Sequence, residues 1–173
     1  PDSNKWYDVS EWGVEGRGYE DQYRLNYFDR FPAKAKEMVT HSVWEYSRHS
    51  SGMVVRFKTN ASEIHARWKL TSDRLGMAHM PPSGVSGLDL YARDSNGKWL
   101  WAAATRPSKT EMETKLLFGI VQGIHEYLLY LPLFNGIESL FIGVPHDATF
   151  EGLAPDNSKP LVFYGTSITQ GAC

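Results

Sequence analysis

From position 43 onward, apolar and polar residues mostly alternate with a period of two, in short runs separated by clusters of Gly, Pro, Asn, Asp and Ser. Successive side chains of a strand point to opposite faces, so this pattern predicts a series of half-buried β-strands. Met53, Val55 and Phe57 alternate with Val54, Arg56 and Lys58. After Asn60-Ala61-Ser62, the residues Ile64, Ala66, Trp68 and Leu70 alternate with His65, Arg67 and Lys69. These two runs are expected to pair as an antiparallel hairpin with one wet face. A second hairpin is predicted across Asp94-Ser95-Asn96-Gly97, joining Leu88, Leu90 and Ala92 to Trp99, Trp101 and Ala103, with Trp68 and Trp101 both in the core. A third is expected between Glu126 to Phe134 and Ser139 to Val144 across Asn135-Gly136, with Pro132 marking an edge or a bulge. Short strands with regular turns predict an all-β fold, an antiparallel sandwich of jelly-roll type over residues 40–150.

The flanks read differently. Trp6, Trp12, Tyr19, Tyr23, Tyr27 and Phe28 follow no clean period, which suggests loops and an outer strand, with a short helix over residues 33–39. Gly152 to Lys159 carries two turn-forming clusters and reads as a linker. Leu161-Val162-Phe163-Tyr164 is an unalternated apolar run, the signature of a strand buried on both faces of a parallel sheet, and it stops at Gly165-Thr166-Ser167. The chain therefore divides into a sandwich over residues 1–155 and, over 156–173, a linker plus the first strand of an α/β domain.

Ser167 is the candidate nucleophile. A hydroxyl at the end of a buried strand, after a glycine that permits a sharp turn and before a helix with free N–H groups, suits attack on a carbonyl. The same local pattern fits a serine that only caps a helix. Tyr164-Gly165-Thr166-Ser167-Ile168-Thr169-Gln170-Gly171 resembles the nucleophile block of the SGNH (GDSL-type) hydrolases, G-D-S-[IL]-T-x-G, with Thr166 in place of the customary Asp. Upstream, Ser47 to Gly52, His79-Met80-Pro81 and Gly87-Leu88-Asp89-Leu90-Tyr91 resemble the branch in which a GxDLY-type β-sandwich precedes the hydrolase domain.

That resemblance implies the N-terminal part of an ester hydrolase similar to bacterial carbohydrate esterases, usually exported, hence secreted or periplasmic. It implies an acylated carbohydrate or other ester as substrate and the protein's own C-terminal SGNH domain as partner. The blocks that supply the oxyanion Gly and Asn and the Asp-x-x-His pair are expected beyond Cys173, so residues 1–173 alone are expected to be inactive. Arg48, His49, His79, Asp89 and Tyr91 are candidates for contact with substrate or with the hydrolase domain. Local hydrogen bonding is the commoner role for loop histidines and for a strand carboxylate such as Asp89.

Composition narrows this further. The 18 basic and 20 acidic residues give a net charge of −2 with no block to track a phosphate backbone, so nucleic acid is not an expected partner. No apolar run is long enough for a membrane-spanning helix. Cys173 excludes an internal disulfide, and the six histidines show no zinc-type spacing, so no metal or other cofactor is expected. Six Trp and nine Tyr suit pleated surfaces, and Trp6, Trp12 and Trp44 are candidates for sugar stacking, though core or interface packing is the commoner fate. A different class of function stands beside the esterase: a free-standing carbohydrate-binding sandwich.

Overall fold

The computed structural model describes residues 3–19, 22–156, 158, 163 and 165–172. Nine strands among them build two antiparallel sheets: β1 (Asn4–Asp8), β2 (Val54–Thr59), β3 (Glu63–Leu70), β4 (Asp89–Arg93), β5 (Trp99–Ala104), β6 (Glu111–Phe118), β7 (His125–Tyr130), β8 (Ile137–Pro145) and β9 (Phe150–Leu153). One sheet has the order β1-β8-β3-β6, the other β5-β4-β7-β2-β9. The inward residues Met53, Val55, Phe57, Ile64, Trp68, Leu90, Leu129, Leu140 and Ile142 share one core between the sheets, each 0 or 1% exposed. Each such side chain contributes roughly 1.5–3 kcal/mol on burial, so the alternation read from the sequence is what drives the sandwich together. The expected fold class is the one observed.

Two of the three expected hairpins are corrected. The hairpin β4–β5 forms, closed by Asp94, whose Oδ1 accepts from the N–H groups of Asn96 and Lys98, and by Gly97 at φ 81°. In contrast, β2 pairs with β7 and β9, whereas β3 pairs with β6 and β8 in the other sheet. The Asn60-Ala61-Ser62 segment is an arch over the core edge. Ala61 is buried at its apex, and Thr59 Oγ1 accepts from Ala61 N (3.1 Å) while donating to Thr149 O (2.6 Å). Similarly, β7 lies in one sheet and β8 in the other, and Asn135-Gly136 is a corner between them. There Asn135, 1% exposed, ties three segments: Nδ2 donates to Ser72 O and Ser86 Oγ (3.0 Å each), and Oδ1 accepts from Ser72 N, Thr71 Oγ1 and Gly136 N. A Cβ on Gly136 would meet Arg48 O and Thr71 Oγ1, so the corner admits glycine alone.

Trp101 is also corrected: it is 60% exposed, while Trp68 is in the core as expected. Ala103 opposes Leu90 but Trp101 opposes Tyr91, so Ala102 is an extra residue in the ladder. That bulge turns Trp101 onto the wet face with Tyr91. Trp44 is buried. Trp12 lies flat on Gly152 with Nε1 donating to Arg56 O (2.9 Å), and Trp6 is covered by the Arg67 guanidinium at 4.2 Å, so these three rings serve packing.

At the flanks, β1 is the outer strand expected, and a 3-10 turn over Ala33–Glu37 stands where a short helix was predicted. The helix α1 (His41–Ser47) overrides the strand period at Val43: Thr40 Oγ1 caps it at Val43 N, and one side buries Trp44. A one-turn helix, α2 (Pro82–Ser86), follows Pro81, and β9 runs through Leu153 into the expected linker. In the predicted strand Leu161 to Tyr164, only Phe163 is among the described residues, 81% exposed, and the strand itself lies outside them.

Candidate functional site

The one-turn helix α3 (Ser167–Gln170) carries the candidate nucleophile at its first residue. Both glycines of the block have steric reasons to be there. A Cβ on Gly165 would strike the Thr169 hydroxyl, and Gly171 ends the helix at φ 109° with Leu133 Cδ1 2.8 Å from where its Cβ would be. The Gly171 N–H closes on Ser167 O and Ile168 O, and Ala172 N–H closes on Ser167 O. This tight turn leaves Ser167 exposed.

Ser167 faces a cleft of about 1260 Å³ between α3 and the sandwich. His49, Tyr46, Ser51 and Phe134 line the sandwich side, and the segment Glu15 to Tyr19 with Arg30 lines the far side. Arg30 holds that wall by donating to Gly16 O (2.7 Å) and to Ser51 O; burial pulls its pKa down, yet an arginine stays charged. The chain enters the cleft past Glu15, whose Oε1 accepts from Asp156 N (3.0 Å) and pairs with Arg56 (3.4 Å). Asp156 is acidified by hydrogen bonds from Ser158, chiefly that of its backbone N–H.

His49 follows the α1 C-cap and is wedged edge-on between Tyr46 (5.5 Å between centroids) and Phe134 (6.3 Å). Burial lowers its pKa, outweighing the opposing pull of Glu45, so the ring is neutral at pH 7. Its Nδ1 receives the Gln170 side chain at 3.4 Å, not the Ser167 hydroxyl. Among the described residues Ser167 Oγ has no hydrogen-bond partner, and they include no cluster of potential metal ligands. The described residues therefore give the hydroxyl no base that would make it a strong nucleophile.

Of the other expected site residues, none lines this cleft. Arg48 caps α1 and pairs through Nε with Asp29 Oδ1 (3.3 Å); Asp29 is 1% exposed and its pKa is raised because burial outweighs the Arg48 charge. His79 is exposed in the Met77–Met80 turn. Asp89 and Tyr91 lie on the outer face of the five-stranded sheet. There Asp89 Oδ1 accepts from Trp101 Nε1 (3.2 Å) and Tyr91 meets Tyr130 edge-on. So the fold brings His49 and Ser167 to one cleft without contact between them and leaves Arg48, His79, Asp89 and Tyr91 elsewhere. Sequence reasoning missed Gln170, Ser51 and Tyr46; the first lies inside the nucleophile block, where its side chain carried no chemical signal of its own.

No curated protein matches the chain. A crystal structure of a protein described as a GDSL-like lipase from Bacteroides ovatus superposes with a TM-score of 0.86 at 29% identity, over 98% of this chain and 49% of that one. The salicylyl-acyltransferase SsfX3 from a tetracycline biosynthetic pathway shares the fold at a TM-score of 0.56 and 15% identity, over 92% of this chain and 43% of that one. The chain thus spans about half the length of either neighbour. The family GxDLY, described as the N-terminus of SGNH hydrolase-type esterases, matches residues 4–150, a span that holds strands β1 to β8 and the Gly87-Leu88-Asp89-Leu90-Tyr91 segment. The chain belongs to the GxDLY family, the sandwich domains that stand N-terminal to SGNH-type esterase domains.

Proposed function

We propose that this sandwich is the N-terminal domain of a secreted or periplasmic ester hydrolase that removes acyl groups from carbohydrate, with Ser167 as the nucleophile. In this reading residues 1–155 are the accessory domain, and the SGNH domain begins within 156–173. The observation that carries the reading is the tight Gly165-Thr166-Ser167 turn, which exposes the serine to a cleft walled by a GxDLY sandwich. Ser167 Oγ attacks the ester carbonyl, and the downstream SGNH blocks supply the imidazole that takes its proton and the donors that hold the oxyanion. His49 is not that base, because it is half-buried and its Nδ1 is engaged with Gln170.

The test is hydrolysis of p-nitrophenyl acetate and of acetylated polysaccharide by a protein that carries this chain together with its SGNH domain. Ser167→Ala should abolish turnover there, and residues 1–173 alone should hydrolyse no faster than their own Ser167→Ala variant. Full activity in the Ser167→Ala protein contradicts the reading.

The exposed Trp101 ring, fixed by Asp89 beside Tyr91 and Tyr130, favours a second reading, a sugar-binding sandwich without chemistry of its own. Titration of residues 1–173 with soluble polysaccharide separates the two: quenching of tryptophan fluorescence that Trp101→Ala removes supports binding.

A further inference from the structure

A one-turn helix has no stability of its own, because nucleating the first turn is unfavourable without tertiary contacts. What fixes α3 is the sandwich. The Gln170 side chain reaches across, its Nε2 donating to Leu133 O (3.0 Å) and to His49 Nδ1 (3.4 Å). Ser51 Oγ returns a hydrogen bond to Gln170 O (3.1 Å), and Gly171 closes against the Leu133 side chain. The His49 ring is itself immobilised by Tyr46 and Phe134. Ser167 is therefore oriented three residues away from a latch built by the other domain.

We propose that Gln170 is a positioning residue, and that His49, Ser51 and the Leu133 carbonyl make the sandwich the part that sets the Ser167 turn, so that it is more than a tether or a carbohydrate anchor. The inference rests on Ser167 being the nucleophile. His49 acts through its Nδ1 lone pair, with Glu45 on the preceding helix α1 as the nearby charge and the uncharged Tyr46, Phe134 and Gln170 around it. The latch touches neither the scissile bond nor the base, so releasing it should leave substrate binding alone and loosen the nucleophile. A misplacement of about 1 Å costs up to ~100-fold in rate.

The first test needs no catalysis. In residues 1–173, backbone 15N order parameters of residues 168–172 should lie near the rigid value of about 0.85, and Gln170→Ala or His49→Leu should drop them below about 0.6 without altering those of the sheets. His49→Asn, whose carbonyl oxygen takes the place of Nδ1, should recover most of the order. In the protein carrying the SGNH domain, Gln170→Ala and His49→Leu should lower kcat about 10- to 100-fold at unchanged KM, and His49→Asn should recover most of that loss.

Unchanged order parameters in both loss variants, or an unchanged kcat, overturn the latch. A rise in KM at constant kcat assigns His49 to substrate binding and also overturns it. If Ser167→Ala remains active while the order parameters fall as expected, the nucleophile reading fails and the contact stands only as structure. If Ser167→Ala is inactive and the latch variants turn over normally, the positioning role fails by itself.

Discussion

Replacing Asn135 with alanine should destabilise the domain far more than an alanine in an exposed turn. Asn135 is 1% exposed, and its amide joins Ser72, Ser86 and Thr71 at the point where the chain passes from one sheet to the other. Four side-chain bonds to other segments are lost. At a net worth of roughly 1 kcal/mol each the cost is about 4 kcal/mol, and it cannot be much discounted because Ser86, 0% exposed, is left with a buried hydroxyl out of reach of water. For a chain of this size, 1 kcal/mol moves the melting temperature by about 2–4 °C, so the expected drop is about 8–16 °C by differential scanning calorimetry. Asn135→Asp should also be damaging at neutral pH, since Asp offers no donor to Ser72 O and buries a charge, and it should recover partly as the pH falls and the carboxyl is protonated. Asn96→Ala in the exposed β4–β5 turn, whose bonds run through the Asp94 carboxylate, is the control and should shift the melting temperature by about 2 °C or less. A drop of under about 3 °C for Asn135→Ala would refute the corner as an energetic hub and return Asn135-Gly136 to the role of an ordinary turn.

Three further outcomes follow from burial and charge. Trp68→Ala should cost about 3–5 kcal/mol in chemical denaturation, whereas Trp101→Ala, on the wet side of the bulge, should cost under about 1 kcal/mol; equal costs would contradict the bulged register. Gly152→Val should destabilise strongly because its side chain would occupy the Trp12 ring, and the double variant with Trp12→Ala should be less unstable than the sum of the two single changes. Asp29 has a folded pKa raised above its ordinary value, so the folded state holds this proton more tightly. Its ionisation costs stability as pH rises through the range between the unfolded and folded values, and acidification through that range restores it. Asp29→Asn should remove that gain on acidification, read as a flatter melting temperature between neutral and acidic pH; an unchanged profile would count against it.

Much of this architecture was written in the period of the chain, and the limits of that signal are physical. Alternation such as Ile64, Ala66, Trp68 and Leu70 shows that one face is buried, and all four residues are in the core. It says nothing about which strand supplies the neighbouring hydrogen bonds, because a strand in a sandwich buries the same face whether it turns back or crosses over. Hence Asn60-Ala61-Ser62 and Asn135-Gly136 read as hairpin turns, although each joins opposite sheets and β4–β5 is the single consecutive pair within one sheet among the described strands. A bulge of one residue defeats period counting altogether, and Ala102 put Trp101 on the wrong face for that reason. The edge strand β9 is exposed or half-buried throughout and carried little alternation to read, whereas the edge strand β6 does alternate, exposed Glu111, Glu113 and Lys115 against Met112, Thr114 and Leu116.

The site was legible in kind and not in composition. Ser167 and its two glycines stood out because tight turns demand specific residues, and the structure gives both glycines a steric reason. His49 was one of several loop candidates, and only tertiary packing distinguishes it from Arg48 and His79. Gln170, Ser51 and the Leu133 carbonyl act through contacts between residues more than thirty positions apart, which no local pattern records.

The most direct measurement is covalent. A fluorophosphonate that reacts with activated serine hydroxyls should be added to the protein carrying this sandwich and its SGNH domain, and the adduct located by peptide mass spectrometry. One equivalent on Ser167, absent from the Ser167→Ala variant and from residues 1–173 alone, is the expected result. Labelling of a different serine, or none in a protein that still hydrolyses esters, would contradict Ser167 as the nucleophile.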